Sequence, residues 1–87
     1  MAAKPSRRRL IAAIDHLLSG EFEQAHDIVQ AFETDMTACQ VHAILHRLQG
    51  DKENAMYWYR QAGQWEWPNT DPQGQLLHLR QTLDFQS

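Results

Sequence analysis

Shifted by thirty residues, the chain aligns with itself. Between 11–25 and 41–55, seven of fifteen positions are identical: Ala13/Ala43, Ile14/Ile44, His16/His46, Leu18/Leu48, Gly20/Gly50, Glu23/Glu53 and Ala25/Ala55. Ile11/Val41, Glu21/Asp51 and Gln24/Asn54 are similar in kind. The shared order is an apolar helix, a glycine that tolerates the left-handed conformation ending a helix, an acid at the positive start of the next one, and an alanine where that return helix comes close. This describes a helical hairpin used twice. One hairpin cannot bury its own apolar stripe, so the two copies must stack.

The rest of the chain is consistent with that reading. Apolar residues recur at three and four spacing almost throughout, and no Val/Thr/Ile-rich alternating run of strand length is present, so the fold class is all-α. Ser6 is the expected N-cap of a first helix presenting Leu10, Ile11, Ile14, Leu17 and Leu18 and stopping at Gly20. Helix two is expected over about 21–33, with Phe22, Ala25, His26, Val29 and Phe32 on one stripe. Helix three follows over about 35–49 with Ala38, Val41, Ile44, Leu45 and Leu48, and helix four runs from Gly50-Asp51 to about Ala62. "GQWEWPNTDPQG" holds too many Pro, Gly and Asn residues for a helix and reads as a loop anchored by its tryptophans. Asp71-Pro72 is an N-cap and first-turn pair opening a last helix to about Leu83. One domain over 1–87 is therefore expected, with hairpins at 6–33 and 35–62, a loop at 63–71 and a capping helix at 72–83 over the exposed end of the stack.

"GEFEQA" and "GDKENA…Y" resemble the tetratricopeptide-type (TPR) helical repeat. The period of thirty is shorter than that family's usual 34, and its early Trp is missing, so the resemblance implies a TPR-like architecture only.

Charge narrows the function classes. The net charge is −3, but Lys4, Arg7, Arg8 and Arg9 all precede the first acid, leaving four basic against eleven acidic side chains in the body. An acidic body argues against a nucleic-acid-binding domain, which displays a basic face. The Arg triplet reads as a solvated helix start. No apolar run approaches the roughly 18 residues needed to cross a bilayer, and "MAAKPSRRRL" lacks the apolar segment of a secretory signal. The single Cys39 forms no internal disulfide, which suits a reducing cytoplasm. A two-hairpin stack is expected as a monomer or a homodimer.

The chemistry-bearing residues concentrate in "HAILHRLQGDKENAMYWYRQAG", residues 42–63. His42 and His46 lie at i, i+4 on one helical face, a spacing that lets two imidazoles share a metal, but the glutamate that follows the first histidine in the zincin motif is absent. If helix two stacks on helix three, His26 comes within reach of both. Hydrogen-bonded, partly buried histidines are the expectation, with no metal and no cofactor assigned. His16 and His46 recur at one repeat position and are discounted as serving the hairpin. Cys39 lies i, i+3 from His42 without the turn a nucleophile needs, so it reads as a core residue. Glu21/Glu23 and Asp51/Glu53 read as caps and dipole partners. Of Tyr57-Trp58-Tyr59, at most two rings can enter one core, and a third, with Arg60, Trp65 and Trp67, offers an aromatic and cationic patch typical of interaction hot spots.

"AHDIVQ" at 25–30 and "VHAILHRLQGDKENAMYWYRQAG" at 41–63 resemble a family of short, functionally uncharacterised bacterial proteins carrying AHD…Q and VHAxLHRxEGDxxNAxYWYxxAG segments. By matching position the resemblance implies a role for His26, Asp27, Gln30, His42, His46, Arg47, Asp51, Asn54, Tyr57, Trp58 and Tyr59. Here Gln49 stands where that pattern commonly has Glu, Lys52-Glu53 where an aromatic is common, and Gln40 where Trp is expected. The leading expectation is a non-catalytic TPR-like protein that holds a protein or peptide partner in a groove of helices one and three bordered by helix four. Its binding candidates are His26, Asp27, His42, His46, Arg47, Asn54, Tyr57, Trp58 and Arg60. The alternative is a ligand- or metal-binding protein, with or without enzyme activity, centred on His26, His42 and His46.

Overall fold

Each helix but one begins where a side chain can satisfy its first free amides. In the computed structural model, which describes residues 4–85, Ser6 Oγ accepts from Arg9 N at 3.1 Å and opens α1 (Arg7–Leu18). α2 (Phe22–Val29) is the exception, because Glu21 makes no side-chain cap and turns to His16 instead. A 3₁₀ turn at Gln30–Phe32 continues α2 and seats Phe32 in the core. Asp35 caps α3 (Met36–Leu48) through Ala38 N at 2.9 Å, and Asp51 caps α4 (Lys52–Gln61) through Asn54 N. Asp71 caps α5 (Pro72–Asp84) through Gly74 N at 2.7 Å. A cap of this kind contributes about 1 kcal/mol. Among the described residues there is no strand, and no helix is long and apolar enough to cross a membrane.

The helix stops repeat more closely than the starts. Gly20 and Gly50 adopt φ of 76° and 77°, and the following amides fold back, Glu21 N to His16 O at 2.8 Å and Asp51 N to His46 O at 2.9 Å. This six-residue closure satisfies carbonyls the helix leaves free and turns the chain within three residues. α1 thus packs on α2, and α3 on α4. Ala25 and Ala55, both fully buried, are the close-approach points.

α3 touches all four other helices. Its Ala38, Cys39, Val41, Ala43, Ile44 and Leu45 are buried, the all-round apolarity expected of a central helix. His42 is carried into the interior with them, 3 % exposed. Tyr57, Trp58 and Tyr59 divide as the helix geometry requires, outward, half-buried and fully buried. In the 63–71 loop Trp67 lies between Arg47 and Lys52, 5.1 and 5.4 Å from its ring, whereas Trp65 stands 72 % exposed; one tryptophan rather than two anchors the loop.

The last helix departs from expectation. Instead of covering the open end of the stack, α5 lies across α1 and α3, the face expected to form a partner groove. Leu76 and Leu83 are buried there, and Arg80 Nε donates to Asp15 at 2.8 Å. Gln75 Oε1 accepts from Tyr59 Oη at 2.6 Å and from Arg47 Nη1 at 2.9 Å, so these contacts fix α5 to α1, α3 and α4 at once. The helix is written in the local sequence, whereas its docking depends on these polar contacts between distant residues.

Candidate metal centre

Three imidazoles meet where α2 crosses α3. The four-residue spacing of His42 and His46 stacks their rings, centroids 5.1 Å apart and 19° from parallel. α2 brings His26 edge-on to both, at 4.8 Å from His42 and 6.2 Å from His46. One ring nitrogen from each residue lies within 4.8 Å of the other two. Trp58 of α4 covers the far face of His42, stacked at 3.9 Å and 13°. Walls from α2, α3 and α4 therefore hold the cluster.

Hydrogen bonding does not explain the arrangement. His42 Nδ1 and His46 Nδ1 are both buried without a protein partner, although individually bonded histidines were expected. Leaving such a group unsatisfied costs about 1–3 kcal/mol, a penalty a fold does not retain without compensation. The internal repeat supplies a comparison. His16 occupies the position equivalent to His46, yet its Nδ1 is 2.9 Å from Glu21 Oε1. In the second copy Asp51, one methylene shorter, bonds the amide and side chain of Asn54, and His46 is left free. The two copies thus place the same histidine in different surroundings, so His16 and His46 are not equivalent as the repeat position suggested.

Two of the three imidazoles, those of His42 and His46, are pushed toward the neutral form. Burial first, then the neighbouring His26 and His46, lower His42 to about 3. Burial also lowers His46, against the raising influence of Asp51. Neutral imidazole is the state that binds a metal, so His42 and His46 would need to lose no proton to do so at neutral pH.

A cleft of about 450 Å³ opens over His26 and His46, walled by Phe22, Glu23, Asp27, Leu45 and Gln49. Tetrahedral ligation at ~2.0–2.1 Å requires donors about 3.3 Å apart, so a cation would have to draw the present nitrogens closer together. The other expected site residues divide. Asp27 joins the cleft rim, exposed and 3.5 Å from Gln30 Nε2, while Trp58 backs His42. Arg47 is committed to Gln75 and Trp67, and Asn54 to Asp51. Tyr57 and Arg60 face outward, Arg60 lying 5.9 Å from the Trp65 ring. Cys39 donates its thiol to Glu33 O, and burial raises its pKa, the opposite of a nucleophile's need. Glu23 was expected only as a cap or dipole partner, and Gln49 only as a neutral residue where the similar family commonly has Glu; both line the cleft. The Glu23-x-x-His26 spacing, which places both on one face of α2, was the available signal.

Comparison with known proteins supplies no relative for this arrangement: no family model, curated protein or solved structure matches the chain.

Proposed function

We propose that this protein binds one divalent first-row cation on His26, His42 and His46. The observation that carries the proposal is the convergence of three ring nitrogens within 4.8 Å of one another, with two buried Nδ1 atoms that no protein group satisfies. An all-imidazole set suits Zn²⁺, Co²⁺, Ni²⁺ or Cu²⁺ and disfavours Mg²⁺ and Ca²⁺. The scaffold would be a pair of TPR-like hairpins, a description supported by the repeated glycine stops and the stacking of α2 on α3. Membership of the uncharacterised bacterial family rests on the segments at 25–30 and 41–63, and a cytoplasmic location on the single cysteine; both remain part of the proposal.

The test is titration of Zn²⁺ into protein lacking a histidine tag, followed by calorimetry and elemental analysis. One cation per chain is expected, lost in His42→Ala and His26→Ala and retained in His16→Ala, whose imidazole is engaged by Glu21. Cation at 100 times its dissociation constant would add about 2.7 kcal/mol of stability. No saturable binding, or equal binding by His16→Ala and His42→Ala, would refute the assignment.

A second reading, in which a protein or peptide partner docks, is supported by Tyr57 and Trp65, 52 % and 72 % exposed, beside Arg60. It uses the outer face of α4 and excludes Trp58, which is turned onto His42.

A further inference from the structure

Three imidazole ligands bring no negative charge, which leaves the double charge of a cation, and one tetrahedral position, for something in the cleft to complete. Glu23, Asp27 and Gln49 line that cleft. Asp27 follows His26 by one residue, about 100° further round the helix, and contacts Gln30. Gln49 brings no charge. Glu23 lies one turn before His26 on the same helical face, is exposed, and makes no hydrogen bond or ion pair among the described residues. Its carboxylate stands outside the present three-histidine group, so ligation requires a change of rotamer, and its negative charge suits the cation. His42 does not line the cleft; it lies beneath the surface, 3 % exposed, with an unpartnered Nδ1 and its ring 4.8 Å from that of His26.

We propose that Glu23 is the fourth ligand, closing a three-histidine, one-carboxylate sphere; this inference rests on the three-histidine reading above. The resulting centre holds a cation without a bound water, so its chemistry is retention and exchange of metal rather than hydrolysis. The carboxylate is the solvent-facing ligand on a flexible stem, and its departure is the step that releases the cation or hands it to an acceptor.

Co²⁺ distinguishes the possibilities, because a metal-bound water ionises near neutral pH, at about 7 on zinc, and a bound carboxylate does not. The visible spectrum of the Co²⁺-loaded protein is expected to stay constant from pH 6 to 9. In Glu23→Ala the Co²⁺ affinity should fall by at least ~10-fold, since removal of even an outer-shell partner costs 10–100-fold. Its spectrum should then titrate with pH, and added acetate should abolish that titration, while Asp27→Asn behaves as the parent. Circular dichroism confirms that each variant is folded. A parent spectrum that itself titrates near neutrality, or a Glu23→Ala protein indistinguishable from the parent, overturns the role of Glu23 while leaving the histidine site intact. Failure of the parent to take up Co²⁺ overturns both proposals.

Discussion

Acidification should destabilise the metal-free protein through His42, by an amount the structure fixes. The imidazole is held to about 3 in the fold and returns to about 6.5 when unfolded. The unfolded chain therefore binds the additional proton as pH falls below 6.5, and stability declines from there until the folded residue itself titrates near 3. At 1.36 kcal/mol per pKa unit, the loss between pH 7 and pH 5 is about 2 kcal/mol from this residue alone. His46, lowered in the same direction, adds to it. A domain of this size has roughly 4–13 kcal/mol in total, so the effect is a sizeable fraction. With a urea slope of about 1–1.5 kcal/mol per molar, the unfolding midpoint should move down by about 1.5 M. His42→Phe supplies the control, because phenylalanine keeps the stack on Trp58 and removes the titrating group. The measurement is urea unfolding by circular dichroism at pH 7 and pH 5, with chelator present, for both proteins. The difference between the two pH values should shrink by about 2 kcal/mol in His42→Phe, whatever that variant's absolute stability. An undiminished difference would show that His42 is not buried as a neutral imidazole, and the proposed centre would lose its most buried ligand.

Two further outcomes follow from the helix stops and from α5. Gly20→Ala and Gly50→Ala should each cost about 1–2 kcal/mol by urea unfolding, a purely conformational penalty, since an added Cβ at either site meets nothing within 4 Å. Leu76→Ala should cost about 2–5 kcal/mol in the same assay, its side chain being fully buried, whereas Arg80→Ala should cost far less because the pair with Asp15 is solvent-exposed.

Much of this was legible in the sequence because the signals are local. Ser6, Asp35, Asp51 and Asp71 head helices for the reason any short oxygen-bearing side chain does, and the glycines at 20 and 50 stop them because few other residues accept a positive φ. The thirty-residue repeat placed α2 beside α3, and with it His26 beside His42 and His46. Repeat logic also misled, since it treated His16 and His46 as equivalent. A difference of one methylene between Glu21 and Asp51 acts through side-chain reach, which the shared position does not reveal.

The sequence by itself determined the elements: where helices start, where they stop, which stripes are apolar, and that the hairpins must share a core. Only the tertiary structure decided that α5 lies across α1 and α3, that Trp58 backs His42, and that two ring nitrogens are buried without partners. Capping and periodicity act between residues a few positions apart and so are written in the local order of side chains. Docking of α5 and the environment of the three histidines depend on which surfaces meet in space, through contacts such as Arg80 with Asp15, 65 positions apart.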